Sequence, residues 1–169
     1  MKVFSRARTG LRSPTGGYSQ NPRPHFASIH HGGPVGGPRL TFRSAAETWR
    51  QWQAYHQSKG WSDIGYHVGI DGLGRLYAGR PISAVPAAVQ NHNTGSVAIV
   101  FLQDGRYHRL NALQRRTLRI LFESGEPKLG IPPLKGLTVK GHREFSGHGT
   151  NECPGDHILR HLKWRRGRY

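Results

Sequence analysis

The sequence contains one cysteine, Cys153, among its 169 residues. A single cysteine cannot form an intrachain disulfide, so the fold does not depend on crosslinks. The sequence has no apolar run approaching the ~18–20 residues that a membrane-spanning helix needs. The basic N-terminus, MKVFSRARTGLRSPTGG, lacks the apolar stretch of a secretory signal peptide. These absences argue against a disulfide-stabilised fold, a transmembrane segment and a standard signal.

Acidic residues are scarce: nine Asp and Glu face 25 Lys and Arg, which gives a net charge of +16. The chain carries no acidic residue before Glu47, although that segment holds seven Lys or Arg. The C-terminal stretch LRHLKWRRGRY repeats the bias. This charge predicts a polyanionic partner, namely nucleic acid, an anionic membrane or a bacterial wall with its teichoic acids. Charge alone does not choose among them, and solubility is a simpler alternative.

The length fits one domain, and four Trp, six Tyr and six Phe supply large core side chains. Residues 1–24 are rich in Arg, Gly and Pro, which predicts an extended, partly ordered basic arm. Residues 25–169 then form the folded domain, with a flexible loop at 32–38 and a basic C-terminal helix and tail. The fold class that we expect is α/β, with a mixed sheet flanked by helices.

Alternating and continuous apolar patterns predict the strands. We expect strands at 25–30 and 137–142, a β-hairpin within 65–80 and a central, fully covered strand at 95–102. Ser44 and Glu47 form a capping-box pattern that opens a helix ending at Gly60. Asn111 caps a helix at 112–124, and a short terminal helix follows at 155–164. The inward-facing residues expected of helix 112–124 are Leu113, Thr117, Leu121 and Phe122.

Histidine is unusually frequent, with eleven His against nine carboxylates. His30 and His31 stand at a strand end, His142 ends another strand, and Cys153 follows on a loop. A thiolate and two neutral imidazoles suit a catalytic zinc, which takes three protein ligands and leaves one position open. The spacing alone nevertheless favours a buried thiol near hydrogen-bonded histidines, because the candidates lie far apart in the chain.

Three segments occur in a recognisable order: GWSDIGYHVGIDGLGRLYAGR (60–80), NHNTGSVAIVFL (91–102) and GHREFSGHGTNECPG (141–155). Together with IHHGG (29–33), they resemble the zinc-dependent N-acetylmuramoyl-L-alanine amidases. This group includes the T7-type phage lysozymes and the peptidoglycan recognition proteins. The similarity runs from about His25 to Ile158, so it spans most of the chain.

The resemblance implies Zn²⁺ as the cofactor, with His30, His142 and Cys153 as its ligands. His31 is the competing first ligand, and strand alternation allows only one of the pair to bind. Tyr66 matches the family's catalytic tyrosine; the alternative is a strand tyrosine that packs on the helix. His67 alternates to the other face and is expected to be structural.

Two departures from the family pattern affect the catalytic site. Asn151 stands two residues before the cysteine, where family members carry a Lys or Thr that stabilises the oxyanion. The preceding loop is longer than usual, so Thr150 and His148 are alternatives for that role. Val100 occupies the position of a Glu general base in some members, which leaves the base role to the metal centre assisted by Tyr66.

The segment QNHNTGS supplies the residues implied to border the substrate groove. His92 and Asn93 match that part of the family; the alternative is loop hydrogen bonding. Arg143 and Glu144 are expected to brace the site through local pairing. The catalytic residues implied are therefore Tyr66 and Asn151.

The implied reaction is hydrolysis of the amide between N-acetylmuramic acid and L-alanine in peptidoglycan. We expect a monomeric phage endolysin that is made in the host cytoplasm and reaches the wall through membrane holes, with a prophage or bacterial remodelling enzyme as the alternative. Its basic arm and tail would hold it on wall polyanions. A non-catalytic peptidoglycan-binding module is disfavoured because all three ligand positions are filled. A nucleic-acid partner is not expected, because the charges concentrate in the terminal segments and no recognised motif accompanies them.

Overall fold

The computed structural model describes residues 1–33 and 41–166. Most of the predicted loop at 32–38 and the end of the basic tail, 167–169, lie outside these ranges. The described strands are β1 (Val3–Phe4), β2 (Phe26–His31), β3 (Val68–Ile70), β4 (Leu76–Ala78), β5 (Ser96–Phe101) and β6 (Thr138–Gly141). The described helices are α1 (Arg6–Thr9), α2 (Phe42–Ser58), α3 (Ala112–Ser124) and α4 (Asp156–Arg166).

The strands form one mixed sheet in the order β1-β4-β3-β5-β2-β6, which confirms the predicted architecture. The hairpin of β3 and β4 is antiparallel, and the other neighbouring strands run parallel. All six residues of β5 are buried, as expected for a central strand. Because β2 and β6 are parallel neighbours, their carboxyl ends meet at one edge of the sheet, where His30 and His142 come together.

The two faces of the sheet are covered by different helices. Ile29 of β2 belongs to an apolar cluster that contains Leu118 and Leu121 of α3 and Ile158 of α4. Successive side chains of a strand point to opposite faces. His30 therefore faces the other side, where Trp49 of α2 packs in a second cluster.

The helix ends follow local capping, with two differences from expectation. The predicted capping box at Ser44 is wrong: α2 begins earlier, and the hydroxyl of Thr41 accepts the backbone N–H of Ser44 at 3.1 Å. The predicted bounds of α3 are confirmed, with Asn111 and Gln114 capping each other reciprocally. Leu113 was expected to face inward but is 46% exposed, and Leu118 is buried instead. No helix within the described ranges is both long enough and apolar enough to cross a membrane.

The N-terminal segment is not the extended arm that its composition predicts. Strand β1 pairs with β4 at the edge of the sheet, and Gln20 forms a bridge with Ala84. The guanidinium of Arg6 lies 2.7 Å from the carboxylate of Asp63, whose side chain is fully buried. The expectation failed because composition reveals the charge of Arg6 but not a partner 57 residues away.

Candidate metal centre

His30, His142 and Cys153 converge at the carboxyl edge of the sheet. Their candidate ligand atoms all lie within 4.8 Å of one another. His30 stands near the end of β2, His142 opens a 3₁₀ turn directly after β6, and Cys153 lies on the loop before α4. His30 is more than 100 positions from the other two residues in sequence, yet the three form one compact group of nitrogen and sulfur donors.

The arrangement of these donors fits a zinc ion. The Sγ atom of Cys153 lies 3.6 Å from Nδ1 of His30. Zn–S and Zn–N bonds of ~2.3 and ~2.0–2.1 Å in tetrahedral geometry imply a separation of about 3.5 Å between two such ligands. One thiol beside two imidazoles, one of them buried, is a donor set that suits zinc.

The electrostatics of the metal-free group keep both imidazoles neutral. Burial, reinforced by the neighbouring histidines, lowers the pKa of His30 well below its usual range. Burial and the nearby His148 and His31 lower the pKa of His142 to about 4. Burial raises the pKa of the Cys153 thiol to about 12, opposed by the backbone N–H of His31 and the charge of Arg143. Two lone-pair nitrogens are thus available near neutral pH, and a cation would have to displace the thiol proton.

His31 lies outside the group, as strand alternation requires. Its Nδ1 accepts the backbone N–H of Gly105 at 3.0 Å and lies 3.2 Å from a carboxylate oxygen of Asp104. Its own backbone N–H donates to Sγ of Cys153 at 3.4 Å. The side chain of His31 therefore holds the 104–105 turn, while its backbone supports the sulfur.

Tyr66 lies against the group on the face covered by α2. Its ring centroid is 5.3 Å from that of His30, and its other ring neighbours are Trp49, Trp52 and His56. Burial and the nearby Cys153 raise the pKa of Tyr66, so its hydroxyl keeps its proton and can donate a hydrogen bond. Tyr66 thus packs on the helix and also borders the candidate metal ligands, and its catalytic role stays a prediction.

His67 is structural, as expected. Its Nε2 lies 2.9 Å from the carbonyl oxygen of Ala84, and its Nδ1 accepts the backbone N–H of Ala98 at 2.9 Å. Both ring nitrogens are therefore occupied, and burial lowers the pKa of His67 to about 4.

A groove of about 630 Å³ is lined in part by His142, one of the three candidate ligands. Asn151 is exposed in this groove, and its Oδ1 accepts the backbone N–H of Cys153 at 2.8 Å. The amide nitrogen of Asn151 is consequently the atom that can donate to a ligand. The lining residues are Trp61, Ala87, Ala88, Gln90, Asn93, His142, His148 and Asn151.

The two residues predicted to bind substrate hold the loops beside this groove. Oδ1 of Asn93 accepts the backbone N–H groups of Ala88 and Val89, at 2.8 and 2.9 Å. Nε2 of His92 lies 3.1 Å from the carbonyl oxygen of Ser146. Asn93 therefore both lines the groove and shapes its wall, while His92 links that wall to the loop after His142.

The segment that joins His142 to Cys153 is braced locally. Arg143 donates to the carboxylate of Asp156 at 2.6 Å, and the carboxylate of Glu144 accepts the backbone N–H of Gly141 at 2.8 Å. These contacts confirm the local pairing expected of Arg143 and Glu144. Thr150 is exposed on the same loop.

Several groove residues were not found by sequence reasoning. Trp61 stands inside the recognised motif GWSDIGY, and that position was the signal that could have found it; its side chain is 39% exposed. Gln90 contributes through its backbone carbonyl, which lies 3.0 Å from Nε2 of His148. A contribution from a backbone carbonyl cannot be predicted from the residue type, because every residue has one. Ala87 and Ala88 likewise enter through the position of their loop.

Comparison with known proteins agrees with this geometry. The family profile described as N-acetylmuramoyl-L-alanine amidase matches residues 20–156. Peptidoglycan-recognition protein SC2 of Drosophila melanogaster is 32% identical over 163 residues, covering 95% of this chain and 84% of that protein. The human N-acetylmuramoyl-L-alanine amidase is 27% identical over 135 residues, which cover 79% of this chain and 23% of the human protein. The solved structure of a Drosophila PGRP-LB mutant in complex with tracheal cytotoxin superposes with a TM-score of 0.81 at 28% identity, covering 95% of this chain and 92% of that one.

Proposed function

We propose that this chain, which belongs to the N-acetylmuramoyl-L-alanine amidase family, is a zinc-dependent amidase that cleaves peptidoglycan between N-acetylmuramic acid and L-alanine. One observation carries the proposal: His30, His142 and Cys153 bring their donor atoms within 4.8 Å of one another. The groove that shares His142 gives a wall fragment access to this point. The complex of a Drosophila relative with tracheal cytotoxin supports a peptidoglycan ligand.

In this proposal, water adds across the amide C–N bond and leaves a carboxylate on the lactyl group and a free amine on L-alanine. Zinc held by His30, His142 and Cys153 would polarise the carbonyl and lower the pKa of a bound water towards ~7. Side chains of the protein carry out the other steps.

Tyr66 and Asn151 have the donors that the reaction needs. The Tyr66 hydroxyl keeps its proton and can donate to the oxyanion that develops on the carbonyl oxygen. The amide nitrogen of Asn151 is a second donor, since its oxygen is already bound to the backbone of Cys153. The departing amine takes its proton from Tyr66 or from water in the groove.

The basic surface supports a polyanionic wall as the partner, but not through a free N-terminal arm. Arg6 of that segment is paired with Asp63, which leaves less of its charge for a partner. Three expectations stay predictions: that the chain is a bacteriophage endolysin, that it is a monomer, and that it is released from the host cytoplasm. Lysis of susceptible bacteria from within, compared with lysis from outside, would test the endolysin role and the release.

The decisive experiment combines zinc analysis with identification of the bond that is cut. Wild-type protein should copurify with about one zinc per chain and release free L-alanine amino groups from purified peptidoglycan. Cys153→Ser should lose both the zinc and the hydrolysis. A wild-type protein that retains zinc and binds wall without cutting it would be a recognition module instead. Hydrolysis by zinc-free Cys153→Ser would refute the metal mechanism.

A further inference from the structure

His148 contacts one of the candidate metal ligands through a hydrogen-bond chain. Its Nε2 lies 3.0 Å from the carbonyl oxygen of Gln90, and its Nδ1 lies 3.1 Å from Nε2 of His142. A carbonyl oxygen can only accept, so Nε2 of His148 must carry the hydrogen. In a neutral imidazole this leaves a lone pair on Nδ1 of His148.

The same reasoning assigns the tautomer of His142. Because Nδ1 of His148 accepts, the hydrogen in this contact belongs to Nε2 of His142. A neutral His142 then has its lone pair on Nδ1. That nitrogen is left to bind a metal.

We propose that His148 is a positioning residue, which links the Gln90 carbonyl to His142 and holds Nδ1 of His142 ready for zinc. The inference rests on the proposed function, since it presumes that His142 binds the metal. Histidine ligands of metals commonly donate their second N–H to an acceptor that orients the ring. Here the acceptor is another imidazole, carried by the segment between His142 and Cys153.

This role excludes His148 as the oxyanion donor that its position suggested. Its one N–H is directed to Gln90, and its other nitrogen is occupied by His142. Gln90 also lines the groove, so the hydrogen-bond chain joins the groove wall to the metal ligand.

The test is zinc affinity, measured by competition with a chromophoric chelator in the absence of peptidoglycan. His148→Ala should bind zinc about 10–100-fold more weakly than wild type, the usual cost of losing such a partner. His148→Asn should recover most of the affinity, because its amide oxygen can accept from Nε2 of His142. His108→Ala is the matched control, since it removes an imidazole from a residue that is neither in this hydrogen-bond chain nor among the groove-lining residues.

The outcomes separate this inference from the proposed function. If the wild-type protein does not bind zinc, the proposed function fails. If it binds zinc and His148→Ala binds equally well, or His108→Ala is weakened equally, the positioning role is wrong. Nitrogen-15 spectra of the metal-free wild type give an independent reading, in which both His142 and His148 should be protonated at Nε2. Protonation of His148 at Nδ1 would overturn the assignment even if the alanine variant fails to fold.

A second inference concerns the other face of the sheet, where a pocket of about 310 Å³ lies beside α3 and α4. Nη1 of Arg115 donates to the carbonyl oxygen of Leu110 at 2.7 Å, and Nη2 of Arg160 donates to Nδ1 of His157 at 2.8 Å. Neither of these two hydrogen-bond partners is a carboxylate. The lining residues are Arg109, Leu110, Arg115, His157, Arg160 and His161.

The charge of this pocket is not compensated in the way seen elsewhere. Arg6, Arg106 and Arg143 all pair with carboxylates at 2.6–2.7 Å. Among the described residues, no such ion pair involves Arg109, Arg115 or Arg160. A concave site with several arginines and no paired carboxylate suits a phosphate group, which guanidinium binds in a bidentate manner.

The geometry points to a phosphate-binding site in this pocket, independent of the amidase reaction. The double variant Arg109→Gln/Arg160→Gln should weaken binding of inorganic phosphate about 100-fold or more, since it removes two charge-assisted hydrogen-bond donors that each contribute about tenfold or more. Arg116→Gln/Arg119→Gln removes the same charge from exposed positions of α3 and should change binding little. Equal loss in both variants, or no phosphate binding by wild type, would refute the site.

A comparison of binding to two preparations of bacterial wall then identifies the source of the phosphate. If the natural ligand is a phosphodiester polymer of the wall, wild type should bind intact walls more tightly than walls stripped of that polymer, and the pocket variant should lose this difference. If phosphate binds but the two wall preparations do not differ, the site takes free phosphate.

Discussion

The guanidinium of Arg6 lies 2.7 Å from the carboxylate of Asp63, which is fully buried. The hydroxyl of Tyr18 and the side-chain amide of Gln53 donate to the same carboxylate at 2.5 and 2.6 Å. Asp63 thus fastens the N-terminal segment and α2 to the loop that precedes Tyr66. Removing one partner of a buried ion pair is costly, because the other charge stays without compensation.

Replacement of Asp63 by asparagine should therefore lower the free energy of unfolding by about 3 kcal/mol at neutral pH. Burial alone would raise the pKa of Asp63, but its hydrogen bonds outweigh burial and lower it. A carboxylate with a lowered folded pKa stabilises the fold above its unfolded pKa of ~3.9, and this contribution is lost as the pH falls through the folded value.

Urea unfolding at several pH values measures this effect. The difference between wild type and Asp63→Asn should stay constant above about pH 5 and shrink below about pH 4. Glu152→Gln is the control, because its surface pair with Arg106 involves a carboxylate that is 70% exposed. It should cost no more than about 1 kcal/mol. A similar cost for both variants would show that the buried pair has no special role.

Gly65 sets the distance between the Tyr66 segment and the groove wall. A Cβ atom at Gly65 would lie 2.4 Å from the carbonyl oxygen of Ala87. The backbone N–H of Ala87 already donates to the carbonyl oxygen of Gly65 at 2.9 Å, so the two segments are held close together. Gly65→Ala should destabilise the fold by about 1–3 kcal/mol and raise KM for wall fragments, because the groove wall has to move. Gly136→Ala, which faces open space, is the control and should change neither quantity. The steric account would be wrong if both variants behaved like wild type.

Local sequence signals predicted most of the elements because their causes are local. The reciprocal cap of Asn111 and Gln114 gives the start of α3, and the apolar run of β5 gives a covered strand. The apolar pattern of α3 was less informative, since Leu113 lies at its exposed edge. The N-terminal segment was misjudged because its pairing with β4 and Asp63 is distant in sequence.

The candidate metal centre depends on strand order, which residue spacing does not reveal. His30 meets His142 only because β2 lies beside β6, with more than 100 residues between them. From spacing alone an inert thiol was the better interpretation of Cys153, and the family resemblance was needed to join the segments. The hydrogen bond between His142 and His148 could not be predicted from the sequence, because it depends on the path of the loop that connects β6 to Cys153.

Zinc binding to the metal-free protein should release about one proton per ion at about pH 6, below the pKa of ~7 expected for a zinc-bound water. Burial raises the pKa of the Cys153 thiol to about 12, so that group is protonated and must lose its proton. His142, with a pKa lowered to about 4, and the buried His30 are already neutral and release none. Apparent zinc affinity should therefore rise with pH, by about tenfold per unit. Calorimetry in two buffers of different ionisation enthalpy counts the protons, and a count near zero or near two would contradict this assignment.

Tyr66→Phe should separate catalysis from metal binding. The variant removes only a hydroxyl whose raised pKa keeps it a hydrogen-bond donor. Loss of one oxyanion donor typically lowers kcat about 10²–10³-fold. Zinc content should stay at the wild-type level, because the ring continues to pack against His30. Full activity in Tyr66→Phe would leave the hydroxyl without a catalytic role and make Tyr66 a packing residue.

Asn151 and Thr150 are adjacent on the loop before Cys153, and substitution of each tests which one assists the reaction. Oδ1 of Asn151 accepts the backbone N–H of Cys153 at 2.8 Å, which leaves its amide nitrogen for the substrate oxyanion. Asn151→Ala should lower kcat about 10²-fold through loss of that donor. Thr150→Ala, at an exposed neighbouring position, should keep wild-type kcat. Because Asn151 also supports the cysteine backbone, zinc affinity has to be measured in the same variant. Loss of kcat at full zinc occupancy identifies an oxyanion donor, whereas a loss that follows the zinc content would make Asn151 a support for Cys153.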